Sequence, residues 1–329
     1  HKEYRRQRQM CIRDSIQSLR ESSEREVREA HYDHHLQNSV RHGGNIPAIW
    51  AYSSGVQTRV LGLSWSDEVQ LILTTAESGV KSIRDLKNRR FGLPKWANVQ
   101  IDFTRAQALR GLENALRLEG LEVADVELVD YPYGGTYSDE QKQHLYGSEV
   151  SLGVTRFSRR NNELIGLLRG DIDAIFLKGA HAVHLANEFG LQVVVDTGSH
   201  PDPLIRSNNG TPRTLTVDTH LLREHFDASV KIVDTVLRTE QWAWANPEET
   251  RRFLARELNT SEYWVAAAYG EDAHRRLRTT LDARSIEALQ DFTDFLHRWQ
   301  FIPRRFDVRE WIDFSVLETV IGSTSRVAV

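Results

Sequence analysis

At 329 residues, with 40% hydrophobic, 9% aromatic and 27% charged side chains, the chain has the composition of a globular protein of two domains. That composition excludes a disordered, collagenous or disulfide-stapled chain, and no apolar run approaches the roughly 18 residues of a membrane-spanning helix. A net charge of −4, from 42 Lys plus Arg against 46 Asp plus Glu, argues against nucleic acid as the main partner, because neutralising phosphates needs a basic face.

The N-terminus stands apart from the rest. The only cysteine, Cys11, and the only methionine, Met10, are adjacent in a basic segment that holds Lys2, Arg5, Arg6, Arg8 and Arg13 against Glu3. A lone cysteine rules out a disulfide within the chain. The string Met10-Cys11-Ile12-Arg13-Asp14-Ser15 is similar to translated sequencing-adapter sequence. Residues 1–15 are therefore expected to be foreign to the fold, with the natural N-terminus upstream of them. A basic tail is the alternative.

Beyond a polar stretch at 17–29, Asn45 to Tyr52 reads as a helix with Pro47 in its first turn. Strands are expected at Thr58–Ser64 and Val69–Thr75, followed by a helical turn at Ser82–Leu86 capped by Ser82 and Asp85. A strand at Arg89–Pro94 leads to a helix over Ile101–Glu119, closed by Gly120. Val126–Tyr131 is a strand, and Pro132–Glu149 a long loop rich in Tyr and Gly. A helix at Arg160–Arg169, a strand at Asp173–Leu177, a helix at Ala180–Phe189 and strands at Leu191–Asp196 and Thr214–Asp218 follow. From His220 to Val320 the apolar spacing is helical throughout. This alternation predicts an α/β protein with mostly parallel sheets.

Two segments carry a family resemblance. Ser82-Ile83-Arg84-Asp85-Leu86-Lys87-Asn88-Arg89-Arg90-Phe91-Gly92 and Leu168-Arg169-Gly170-Asp171-Ile172-Asp173-Ala174 occur in the order seen in type II periplasmic-binding-like proteins. That family includes the sulfonate, nitrate and taurine binding proteins and the thiamine-precursor group, and the resemblance covers about His31 to Leu317. A more specific pattern is His31-Tyr32-Asp33, then Arg41-His42-Gly43-Gly44-Asn45-Ile46-Pro47. A His, nine residues, an Arg, one residue and Gly-Gly-x-Ile-Pro resembles the desulfinase branch of the fold, the enzymes of the 2'-hydroxybiphenyl-2-sulfinate desulfinase type. A late segment around Trp311 runs parallel as well. The nucleophilic Cys of that branch would fall some thirty residues before His31, in or before the foreign segment, and Cys11 does not match its surroundings.

The resemblance implies a two-lobed type II periplasmic-binding-protein-like fold with a helical C-terminal portion and a cleft between the lobes. Lobe one is expected at 16–94 and 198–329, with the C-terminal helices packed on it, and lobe two at 95–197. His31 and Arg41 are then the catalytic candidates: a guanidinium offers a planar fork of donors to two sulfinate oxygens, and an imidazole moves protons near neutral pH. Gly43 and Gly44 would let the backbone approach a ligand.

Lys95 and Trp96, after a strand and before a helix, and Lys178, at the end of another strand, are further ligand-binding candidates on the edge where open α/β sheets bind. Each has a plain structural alternative: a surface Lys, a packed Trp. Tyr131, Tyr133, Tyr137 and Tyr146 could border the cleft. His31, Asp33, His34, His35 and His42 crowd one region, but no second ligand group closes a metal site. The tryptophans Trp242, Trp244, Trp264, Trp299 and Trp311 are expected in the core.

No Gly-rich phosphate loop is present, so no nucleotide, flavin or other cofactor is expected. Two functions follow: a cofactor-free desulfinase-like hydrolase of an aromatic carbon–sulfur bond, or the solute-binding component of an ABC importer for a sulfonate-like anion. The expected partner is a small anionic organosulfur molecule in either case, with an ABC permease only in the second, and the chain is expected to be a monomer. An enzyme would be cytoplasmic, a solute-binding protein periplasmic.

Overall fold

The computed structural model describes residues 33–134 and 162–327, with side chains to residue 322. The segment 1–15 lies outside the described residues, as do His31, Tyr137 and Tyr146.

In chain order the strands are β1 (Val40–Gly43), β2 (Thr58–Trp65), β3 (Gln70–Thr74), β4 (Arg90–Trp96), β5 (Glu127–Tyr133), β6 (Ala174–Lys178), β7 (Gln192–Asp196), β8 (Arg213–Asp218) and β9 (Arg278–Thr280). They form two sheets, one ordered β1–β8–β2–β9 and the other β5–β4–β6–β3–β7. The main helices are Asn45–Ser53, Phe103–Arg117, Asn162–Arg169, Gly179–Glu188, Phe226–Ala245, Pro247–Glu257, Glu262–Tyr269, Ala283–Arg298 and Ser315–Val327. The chain is thus an α/β protein on two sheets, and no helix among the described residues is long and apolar enough to cross a membrane.

Local chemistry explains the element ends. Ser82 and Asp85 form a reciprocal capping box on the short turn Ile83–Leu86. Asp102 caps the Phe103–Arg117 helix by accepting from the Arg105 backbone N–H at 3.0 Å.

Several expectations change. The sheets are not mostly parallel: every ladder of the first sheet is antiparallel, and β3 runs antiparallel to β6 and β7. Only β4 is parallel to its neighbours, β5 and β6. The reason is the return of the chain, which inserts β8 between β1 and β2 in the opposite sense.

The boundary at Pro94 also moves. β3 and β4 already belong to the second sheet, so the chain crosses between Trp65 and Gln70 and returns between Asp196 and Arg213. β3 is apolar and fully buried, and nothing in its local pattern says which sheet it joins.

The C-terminal region is divided rather than packed mainly on the first lobe. Pro247–Glu257 and Glu262–Tyr269 share a core with Ala180 of the second sheet's Gly179–Glu188 helix, through Ala255, Val265, Ala268 and Tyr269. β9 interrupts the helical run. Trp311 is fully buried, but Trp242 and Trp244 are exposed, on the outer side of their helix.

Candidate functional site

The motif Arg41-His42-Gly43-Gly44 straddles a strand end and a helix start. Arg41, His42 and Gly43 lie on β1, and Gly44 caps the Asn45–Ser53 helix. Pro47 fits the first turn, where a missing N–H costs nothing.

Arg41 is buried, and its guanidinium folds over Gly43 so closely that a Cβ there would lie 3.2 Å from Cζ and Nη2. A Cβ on Gly44 would lie 2.5 Å from Asn209 Oδ1. Both glycines thus bring polar side chains close onto the backbone, and a side chain at Gly44 would have to displace the Asn209 amide. Asn209 Oδ1 accepts from the Ile46 backbone N–H at 3.4 Å, and Asn45 Nδ2 donates to the carbonyls of Asn208 and Pro212 at 3.0 Å each. The helix start is thus tied to the return crossing, which holds Asn208, Asn209 and Pro212. His31 lies outside the described residues, so of the proposed pair only Arg41 is placed.

His42 has one open side, yet its ring is packed among protein atoms. That desolvation, with the charges of Arg213 and Arg41, lowers its pKa from 6.5 to about 4. The imidazole is neutral at pH 7, and its Nε2 lies 2.7 Å from Ser64 Oγ.

Lys178 stands at the carboxyl end of β6 and is already engaged. Its Nζ lies 2.6 Å from Glu68 Oε1, and it donates to the carbonyl of Asn209. The Tyr269 hydroxyl donates to Glu68 Oε2 at 2.7 Å. Burial by itself would raise the Glu68 pKa, but the charge and hydrogen bond of Lys178, with Tyr269 and Arg213, outweigh it and hold the carboxylate below its ordinary range. Burial, then Glu68, pushes the Tyr269 hydroxyl well above its ordinary value. This triad joins the first crossing, the second sheet, the return crossing and a C-terminal helix.

The other two candidates sit farther along the same sheet. Lys95 is exposed and paired with Asp130 at 2.7 Å, and Asp130 also holds Arg105 at 2.7 Å. Trp96 is buried edge-to-face against Tyr133, ring centres 4.5 Å apart, and its backbone N–H donates to Asp102 at 2.6 Å. Among the described residues the structure therefore gathers Arg41, Gly43 and Gly44, and links Lys178 to them through Asn209. Lys95 pairs with Asp130, and Trp96 packs on Tyr133, within the second sheet.

Arg213, Asn209, Glu68 and Tyr269 were not expected in this region. Asn209-Gly210 is a turn signal, and nothing local marks the other three. Among the described residues no group of three or more His, Cys, Asp or Glu is placed to hold a metal ion.

With two sheets joined by two crossings, the chain has the type II periplasmic-binding-protein-like fold. No family model matches the chain, and no curated protein matches its sequence.

Among solved structures, a mutant of the desulfurization enzyme DszB in complex with biphenyl-2-sulfinic acid superposes with a TM-score of 0.68 at 22% identity, over 89% of this chain and 88% of that one. A putative periplasmic sulfonate-binding protein SsuA from Methylobacillus flagellatus gives 0.66 at 15% identity, over 90% and 78%. The periplasmic aliphatic sulphonate binding protein SsuA from Escherichia coli gives 0.60 at 15% identity, over 88% and 79%. At these identities the likeness is one of fold.

Proposed function

We propose that the chain binds a small organosulfur anion, a sulfinate or sulfonate, between its two lobes, and that it acts as a desulfinase-like enzyme. The observation that carries this reading is the buried Arg41 guanidinium folded over Gly43, beside a helix N-terminus that begins at Gly44. Both features supply hydrogen-bond donors and positive potential, which an anion with several oxygens needs. The fold it shares with DszB, solved with biphenyl-2-sulfinic acid, supports an aryl sulfinate as the ligand.

In the proposed reaction water adds its oxygen to sulfur. The carbon–sulfur electron pair stays with the aryl carbon, which takes a proton, and bisulfite leaves. His31 is the proposed proton carrier and Arg41 the group that holds the sulfinate oxygens.

The second reading, a solute-binding component of an ABC importer, is favoured by one feature. Arg41 and the helix start supply donors that hold an anion without reacting with it. Incubation with an aryl sulfinate and detection of sulfite by a thiol reagent tests the choice. Sulfite release supports the enzyme. Tight binding of sulfonates and sulfinates without sulfite leaves the solute-binding reading, and no binding of either overturns both.

A further inference from the structure

The Pro247–Glu257 helix turns one side inward and the other to solvent. Thr250 and Ala255 are buried, and Leu254 and Leu258 pack with Ala255 on the core shared with the Gly179–Glu188 helix. Glu249, Phe253 and Arg256 fall on the opposite side at i, i+4 and i+7, the spacing of one helical stripe, and all three are exposed. Phe253 is 54% exposed. Trp242 of the preceding helix, 42% exposed, meets it edge to face with ring centres 5.8 Å apart. Two neighbouring aromatic rings thus stand open to solvent beside a charged stripe.

The stripe carries a carboxylate at one end and a guanidinium at the other. Glu249 and Arg256 are about 10 Å apart along the helix axis, with Phe253 close to the midpoint. Glu249 lies 3.9 Å from Arg252, beyond hydrogen-bond reach. Arg252, beside the stripe, is held near Glu248 and Glu262 at 3.5 and 3.9 Å. Arg256 lies over the Phe253 ring, 5.2 Å from its centre, and pairs with no carboxylate among the described residues. A face of one charge sign would call for a partner of the opposite sign, and a wholly apolar face for a bilayer. This face has one charge of each sign on either side of an aromatic centre, so a reversed copy of itself completes it. A two-fold rotation sets Glu249 of each copy opposite Arg256 of the other and brings the two Phe253 rings together at the axis, flanked by Trp242.

We propose that this face pairs two copies of the chain, antiparallel along the Pro247–Glu257 helix, in a weak two-fold dimer. The inference is independent of the anion reading and replaces the expected monomer. One helix pair with its flanking aromatics buries less than a permanent dimer needs, so the affinity belongs in the micromolar range. Every residue of a two-fold contact is used twice, so one substitution removes two interactions.

Sedimentation equilibrium of the full chain at low salt tests it. The expected result is a monomer–dimer equilibrium with a dissociation constant of about 10–100 µM. Phe253→Ser should weaken it about a hundredfold, because an aromatic anchor is lost from both copies. Glu249→Arg and Arg256→Glu should each weaken it about tenfold by setting like charges opposite one another. The double variant carrying both changes should recover the dimer, since its exchanged charges again face opposite signs. Circular dichroism melts confirm that each variant is folded. A chain that stays monomeric up to about 1 mM overturns the inference. So does a dimer indifferent to Phe253→Ser, or a double variant no better than the single ones. Co-sedimentation of a monomeric chain with phosphatidylcholine vesicles, lost in Phe253→Ser, would give the face to a bilayer and overturn it as well.

Discussion

At the scale of single residues, Arg41 and His42 make opposite contributions to the same sheet edge. The Arg41 fork cannot be reproduced by a point charge. Arg41→Lys should weaken aryl sulfinate binding by roughly 1.5–3 kcal/mol, about ten- to hundredfold, which calorimetry would read directly. An unchanged affinity would place the anion elsewhere. His31→Ala, in the enzyme reading, should lower sulfite release more than binding.

His42 imposes a cost at low pH. Its pKa falls from 6.5 to about 4 on folding, so the unfolded chain takes up a proton that the native state refuses. Its contribution to stability is present above pH 6.5 and is lost as pH falls toward 4. Urea midpoints should therefore decline across that window, and His42→Gln should flatten part of the decline. A slope identical in the two proteins would show that His42 does not titrate this way.

At the scale of elements, the Asn162–Arg169 helix buries Glu163 against β4. Desolvation, with a smaller repulsion from Asp102, raises its pKa from 4.5 to about 7. Here the sign is reversed. The native state keeps a proton that the unfolded chain releases above pH 4.5, so stability drops as pH rises to 7. Glu163→Gln should raise Tm at pH 8 and change it little at pH 4. A lower Tm at pH 8 would mean that the carboxylate makes an interaction that the amide cannot replace.

The Phe103–Arg117 helix lies so close to β6 that a Cβ on Gly111 would sit 2.1 Å from the Phe176 ring. Gly111→Ala should cost about 1–3 kcal/mol, seen as a lower urea midpoint with the slope unchanged.

Elements of this kind were largely legible in the sequence. The apolar runs of β2, β3 and β6 and the cap at Ser82 are local signals, and the structure forms strands or turns there. β1 was not legible, because Val40-Arg41-His42-Gly43 has no apolar alternation and is held by pairing with β8 from far along the chain. Trp242 and Trp244 misled for a related reason: helical spacing predicts a face, but not that the face is covered.

At the scale of the whole molecule, the candidate site was only partly readable. The Arg41-Gly43-Gly44 neighbourhood could be picked out by its spacing, because the strand end and helix start that position it are contiguous. The Glu68–Lys178–Tyr269 triad and the His42–Ser64 contact could not. Each unites segments that meet only after both crossings are in place. The crossing itself was misplaced because β3 would satisfy either sheet on its local pattern.

The cores of the two sheets are not separate. Leu63 of the first sheet, Ile72 and Phe91 of the second, and Phe292 and Phe295 of the Ala283–Arg298 helix belong to one continuous cluster. A packing defect on either side is therefore transmitted to the other. Thermal resistance and affinity for the proposed anion become correlated traits: a cavity cut at Phe292 should loosen the proposed anion seat as well as the fold, and a substitution that tightens the cluster should improve both together.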